Sequence, residues 1–283
     1  MIISQRISEV RKVLWREREN KKEIALVPTM GYLHQGHLTL VKEAKQSGAF
    51  VVMSIFVNPL QFGPNEDFSR YPRDIERDAK LAEEAGVDLL FNPEVSEMYP
   101  DPNLTYVEVG ELGDCLCGAS RPGHFRGVTT VVSKLFHIVQ PDRAYFGQKD
   151  FQQYLIIKRM VQDLNFPIEV IAVPIVREEE GLALSSRNVY LSAEQRTEAL
   201  VLNRSLRDAE EWIRGGERRA AVIEERIKDK IRTEGSGIID YVEVHSAENL
   251  SRVDRIEQPI VIALAVRFGA TRLIDNKIVK EWD

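Results

Sequence analysis

The sequence predicts an α/β protein: a doubly wound parallel sheet followed by a smaller α+β domain. Three observations carry this. Short apolar segments alternate with helical ones through the first 175 residues, the pattern of a parallel sheet with crossover helices. Residues 50–57 form a near-continuous apolar run, as a strand buried on both faces requires. After about Arg177 the alternation stops and long amphipathic helices take over.

Residues 24–27 read as the first strand and 37–46 as the helix after it. The 50–57 run is the second strand. A charged helix over 73–85 is ended by Gly86, and 87–91 is a third strand. Residues 105–109 read as a short β segment. The 128–139 segment is helical, with Val131, Leu135 and Ile138 on one face. A strand at 143–146, a helix at 150–162 and a strand at 168–176 complete a Rossmann-like domain over residues 1–177. In such sheets ligands bind beyond the carboxyl ends of the strands. Residues 178–181 are polar and read as a hinge. The helix over 194–214 carries Ala199, Leu202, Leu206, Ala209 and Ile213 at helical spacing, and Gly215-Gly216 breaks it. A second helix turns Ala220, Ile223, Ile227 and Ile231 inward. Residues 238–245 and 259–268 read as antiparallel strands. These elements make up the smaller domain, residues 184–283.

The chain has 283 residues, with 38 Lys and Arg against 44 Asp and Glu, a net charge of −6. Its 43% hydrophobic and 29% charged residues exclude a disordered or collagen-like chain. The negative balance argues against nucleic acid as partner, because phosphate backbones want a basic field. A compact anionic substrate stays compatible, since a local cluster of donors can outweigh a mildly negative whole. From Ser192 to Glu234 there are ten basic and ten acidic residues, a solvated surface rather than a nucleic-acid stripe. The most apolar run, residues 49–57, is far short of the roughly 20 needed to cross a membrane. The first 20 residues are charged throughout and do not read as a secretory leader. Cys115 and Cys117 are too close for an easy disulfide and too few for a structural zinc. A reduced, cytoplasmic protein is expected.

Five segments carry chemistry. Residues 28–37, PTMGYLHQGH, lie in a strand-to-helix turn, where free backbone N–H groups suit phosphate. Gly31 and Gly36 let the backbone turn and approach a ligand. His34 and His37 sit on one side of a first helical turn and can stabilise charge on a leaving pyrophosphate. In the competing reading one histidine caps the helix and the other packs. The second segment, residues 56–63, leaves the second strand at its carboxyl end, and the loop continues to Arg73. Its Gln61 offers a donor and an acceptor without charge, and the loop is long enough to act as a lid. The third, residues 121–128, makes a cationic patch of Arg121, His124 and Arg126; substrate contact and orientation of a neighbouring loop both fit it. The fourth, residues 146–153, offers Lys149 to phosphate. Its Asp150 suits either the site or a helix cap, and Gln153 lies one helical step on. In the fifth, residues 182–188, two hydroxyls and the planar fork of Arg187 can wrap phosphates, or serines can cap the next helix. A sixth stretch, residues 269–276, reads as a strand end and turn closing the second domain.

The His-x-Gly-His pattern at the first strand–helix turn resembles the nucleotidyl-transferase superfamily. The full stretch PTMGYLHQGHLTL, with all five segments in order between residues 24 and 276, resembles its pantothenate synthetase (pantoate–β-alanine ligase) family. The resemblance implies condensation of pantoate with β-alanine through a pantoyl adenylate, with ATP as co-substrate accompanied by magnesium. It places Met30, Gly31, Tyr32, Leu33, His34, Gln35, Gly36, His37, Gly147, Gln148, Lys149, Asp150, Val176, Leu184, Ser185, Ser186 and Arg187 on ATP. Gln61 and Gln153 fall on pantoate and β-alanine, and His37, His34 and Lys149 are the catalytic candidates. Tyr32 stands where a smaller residue is common in the family. A homodimer is implied, and no protein ligand for a metal is assigned. Two rivals remain open: an adenylyltransferase acting on a phosphorylated acceptor, disfavoured by the uncharged Gln61 and Gln153, and a non-catalytic nucleotide-binding module, which would not need both histidines and the Ser-Ser-Arg loop.

Overall fold

The computed structural model describes residues 1–64 and 66–281, so the last two residues of the expected second domain lie outside it. Six strands form one parallel sheet: β1 (Ile2–Ser4), β2 (Ile24–Thr29), β3 (Phe50–Ile55), β4 (Leu89–Phe91), β5 (Arg143–Gly147) and β6 (Glu169–Val173). Their spatial order is β1-β4-β3-β2-β5-β6. From β2 the chain moves outward to β3 and β4, and from β5 it moves the other way to β6. The topological switch therefore lies between β2 and β5, where a crevice opens at the carboxyl ends of the strands.

Period-2 burial fixes the register of β2. Ile24 and Leu26 face one hydrophobic core and Ala25 and Val27 the opposite one. The first core is filled by Val10 and Leu14 of helix α1 (Ile7–Glu19) and by the helices that follow β4. The second receives Leu40, Val41 and Ala44 of α2 (Gln35–Gln46) and Ala82 of α3 (Ile75–Ala85). After β4 come two one-turn helices, α4 (Val95–Met98) and α5 (Cys117–Ser120), then α6 (His124–Val139) and, beyond β5, α7 (Phe151–Asp163). In α6 only Arg126, Lys134 and His137 escape burial, so it is a core helix and its first turn is held rigidly.

The second unit has two long helices, α8 (Ala193–Arg214) and α9 (Ala220–Glu234). They pack on an antiparallel sheet of β7 (Ile238–Ser246), β8 (Ile260–Phe268) and β9 (Thr271–Val279). Ile260, Ile262, Leu264 and Val266 of β8 face these helices. Val261 and Ala263 face the other way, against Leu116, Phe151 and Leu155 of the first unit. A strand buried on both faces reads as an unbroken apolar run, which is how residues 259–268 read.

Four expectations change. The 105–109 segment joins no ladder: Val107 N–H donates to Thr130 Oγ1 and its carbonyl accepts from Thr129 Oγ1, so two α6 hydroxyls replace a strand partner. The strand expected at 168–176 stops at Val173, because Pro174 has no N–H for a ladder. The stretch 269–276 keeps its expected turn at Gly269–Ala270, but from Thr271 on it is the first part of a full strand, β9. The expected hinge at 178–181 is a pinned turn: Arg177 and Ala183 pair across it, Gly181 takes φ +103°, and the Glu178 carboxylate accepts from Asn188 Nδ2. Strand β1 and helix α1 are additions to the sequence reading.

Candidate active site

The turn after β2 is built by a buried carboxylate. Gly31 (φ +83°) and Tyr32 (φ +50°) reverse the chain, and the following backbone N–H groups of Tyr32 and Leu33 donate to Asp78 at 2.6 and 2.7 Å. Asp78 comes from α3 and is 1% exposed. Burial pushes its carboxyl up, although both amides favour the charged form. A Cβ at residue 31 would sit 2.8 Å from Ile55 and 3.0 Å from Asp78. The glycine is therefore required for backbone angle and close approach alike. The sequence expectation of free N–H groups here is corrected: Asp78 already takes two of them.

The two histidines start α2 as a reciprocal cap. His34 Nδ1 accepts from the Gly36 N–H at 3.1 Å, and His37 Nδ1 accepts from the His34 N–H at 3.4 Å. The rings stack with centroids 4.0 Å apart. The competing reading is thus half realised, since His34 caps the helix and still lines the cavity. Burial, then the neighbouring Lys149, lowers the His34 pKa to about 4. Burial, then His34 and Lys149, hold His37 well below its ordinary value. With each Nδ1 accepting, the proton of each neutral ring sits on Nε2. The pair offers two uncharged N–H donors, and no acid, near neutral pH.

A cavity of about 220 Å³ lies at the switch point. It is lined by Met30, His34, Gly36, His37, Gln61, Gly147, Lys149, Asp150, Gln153, Val176, Leu184, Ser185, Ser186 and Arg187, all expected from sequence. Its apolar wall is the Val128, Val131, Val132 and Leu135 face of α6 with Phe56 and Leu40. Five expected residues do not line it. Leu33 is fully buried in the core, Gly31 lies against Ile55, and the Tyr32 ring lies under the Arg77 guanidinium. Gln35 is exposed at the start of α2, and the Gln148 carbonyl is taken by Asn276 Nδ2.

Gln61 is 8% exposed at the end of a single 3₁₀ turn, Pro59–Gln61. Its Oε1 accepts from Asn58 Nδ2 at 3.1 Å and its Nε2 donates to Met30 Sδ at 3.2 Å. Both ends of the amide are thereby held at the cavity wall. Among the described residues, nothing bonds the Gln153 side chain and Lys149 Nζ meets only Asp150, at 4.0 Å. Asp150 makes no cap bond, whereas Ser185 does, accepting from Arg187 N–H at 3.2 Å. Arg187 does not stand open to phosphate. Its fork holds Asp67 at 2.9 and 3.0 Å, and it lies over the Tyr71 ring. Tyr190 donates to the Arg70 carbonyl at 2.8 Å. Residues 66–73 and the Ser-Ser-Arg loop are thus clasped together.

Sequence reasoning missed Asp78, Asn58, Asp67 and Asn276. Asn276 Nδ2 donates to the carbonyls of Gln148 and Lys149 at 3.0 and 2.9 Å, so β9 props the loop that carries Lys149. Charge complementarity to Arg187 is the one signal that could have drawn attention to Asp67. A second cavity of about 710 Å³ adjoins the first, sharing Lys149, Asp150, Gln153, Ser185 and Arg187 and running toward Arg272 and Asn276.

The family model described as Pantoate-beta-alanine ligase matches residues 2–278. A pantothenate synthetase from Desulfitobacterium hafniense is 77% identical over 280 residues, 99% of each chain. The one from Moorella thermoacetica is 58% identical over 283 residues, covering all of both chains. Among solved structures, the pantothenate synthetase of Thermus thermophilus superposes with TM-score 0.93 at 50% identity, over 98% of this chain and 99% of that one. The pantoate-beta-alanine ligase of Francisella tularensis, complexed with beta-gamma ATP and beta-alanine, has TM-score 0.80 at 34% identity, over 98% and 97%.

Proposed function

This chain belongs to the pantoate–β-alanine ligase family, and we propose that its reaction runs at the cavity beneath His34 and His37, through a pantoyl adenylate. The enzyme joins pantoate to β-alanine at the expense of ATP. A carboxylate is a poor acylating agent. Attack of the pantoate carboxylate on the α-phosphorus of ATP gives a mixed anhydride and releases pyrophosphate; the β-alanine amine then displaces AMP. The single observation that supports this siting most is the pair of neutral Nε2–H donors at the topological switch point. Preorganised donors cost no reorganisation as charge develops on the departing pyrophosphate. Lys149, whose ion-pair partner among the described residues is Asp150 at 4.0 Å, adds a compact cation.

The cavity also suits the acid. Pantoate carries two methyl groups, two hydroxyls and a carboxylate. The α6 wall faces the methyls, while Gln61 and Gln153 supply uncharged donors and acceptors. The apolar α6 wall helps keep water from the anhydride. Three carboxylates lining the larger cavity, Glu66, Asp67 and Asp275, are each engaged by an arginine. Asp150, which among the described residues touches only Lys149, at 4.0 Å, is the lining carboxylate that would be left to share magnesium brought in on ATP. The division into units 1–177 and 184–283, the cytoplasmic setting and a homodimer belong to the same reading; no helix among the described residues is long and apolar enough to cross a membrane. Nothing in this scheme calls for nucleic acid or a membrane.

The test is pantoate-dependent exchange of labelled pyrophosphate into ATP with β-alanine absent. Exchange that requires pantoate, and that falls about 10²-fold or more in His37→Ala, is the expected result for a donor of this kind. Undiminished exchange in a folded His37→Ala protein would remove the role.

A further inference from the structure

Arg121 and His124 have no part in the reaction proposed above, yet they touch the site from below. His124 opens α6 and is 9% exposed. Its Nε2 lies 3.0 Å from Arg121 Nη1. A guanidinium only donates, so Nε2 accepts and Nδ1 carries the ring proton. Nδ1 then donates to the Gln61 carbonyl oxygen at 2.8 Å. Burial, then the charge of Arg121, lowers the ring's pKa to about 4, so this tautomer persists near neutral pH. Arg121 also forks onto Glu66, Nε and Nη2 each at 2.6 Å, and Glu66 accepts from Gly63 N–H at 3.2 Å.

The next turn of α6 completes the grip. A Cβ at Gly127 would lie 2.2 Å from the Leu60 carbonyl oxygen and 2.6 Å from Gln61 Cα, so only glycine lets the 3₁₀ turn seat here. The Gly127 carbonyl accepts from Asn58 Nδ2, the group that also donates to Gln61 Oε1. Backbone and side chain of Gln61 are thus held from one rigid helix start.

We propose that His124 and Arg121 are positioning residues for Gln61, fixing its amide toward the carboxylate and hydroxyls of pantoate before the substrate arrives. This rests on the reading that Gln61 meets pantoate. A residue on an otherwise free loop would have to be ordered on binding, and preorganisation removes that cost.

The experiment is a mutant cycle read as separate KM values for pantoate and ATP. His124→Ala raises the pantoate KM about 10-fold, as loss of positioning implies, and leaves the ATP KM within about 2-fold. His124→Asn keeps a donor where Nδ1 stood and restores the pantoate KM to within about 3-fold of the parent. Glu66→Gln, which loosens Arg121 without touching the core, gives a smaller rise in the same direction and serves if His124→Ala does not fold. Gln61→Ala raises the pantoate KM alone, and His124→Ala adds nothing on top of it. A His124→Ala effect that persists in full on Gln61→Ala, or that falls equally on ATP, overturns the positioning role. A pantoate KM unmoved by Gln61→Ala removes the reading of Gln61 itself, and the proposal with it.

Discussion

The two loops that meet at the cavity are built on opposite principles. The His34–His37 turn is over-determined: a buried Asp78 holds two of its amides, its two imidazoles both cap the start of α2, and glycine is required where Ile55 and Asp78 crowd in. The Ser185–Arg187 loop is held instead by the Arg187–Asp67 pair, one bond from Ser186 to the Tyr32 carbonyl and one from Tyr190 to Arg70. The first arrangement suits donors that must be in place before charge develops. The second suits a group that must change partners, since a triphosphate can replace the Asp67 carboxylate on the same guanidinium fork.

Breaking the rigid side has the largest effect. Asp78→Asn turns a donor toward one of the two amides and leaves that N–H buried and unpaired. It costs about 1–3 kcal/mol, read as a lower Tm, and pyrophosphate exchange falls with it. Unchanged Tm and exchange would show that the turn does not depend on the carboxylate. The buried histidines of the two sites also have a pH signature. His34 and His124 have folded pKa values of about 4, and His37 is lowered as well. The unfolded chain takes up these protons near pH 6.5 and the folded one does not. Stability is therefore full above about pH 6.5 and is lost as pH falls toward 4, at up to about 1.4 kcal/mol per pH unit for each histidine. Ring NMR titration reading pKa values near 6.5 would contradict this. The smallest effect belongs to the clasp. Asp67→Asn frees Arg187 and should lower the ATP KM a few-fold while changing stability by less than about 1 kcal/mol, as for other partly exposed ion pairs. A higher ATP KM would mean that Asp67 orients Arg187 and does not compete for it.

The sequence made visible what rests on local chemistry. Alternation exposed β2 to β6, and glycine- and histidine-bearing turns at strand ends exposed most of the cavity lining. Helix α1 was missed because only Val10 and Leu14 of its thirteen residues are fully buried, too few for a period. Strand β1 has three residues, two of them exposed. Strand β9 was hidden by the buried Asp275 and Asn276, which interrupt its apolar pattern but serve Arg177 and the Lys149 loop. Asp78 could not be found from sequence, since an aspartate in the first turn of a helix is ordinary and its partners lie 45 residues away or more. Likewise, whether Arg187 is open or engaged depends on a residue 120 positions distant.

The reciprocal histidine cap has a practical corollary for anyone who wants an inert copy of this protein, for instance to trap substrates in a crystal. Replacing His34 or His37 removes a helix start together with a donor, so such variants lose thermal tolerance as well as turnover, typically by about 1 kcal/mol for a lost cap. Lys149 is the cleaner target. Among the described residues its ammonium contributes only a 4.0 Å approach to Asp150, while its loop is held by Asn276 through main-chain carbonyls that any substitution keeps. Lys149→Ala should therefore silence the chemistry and leave the scaffold as sturdy as before.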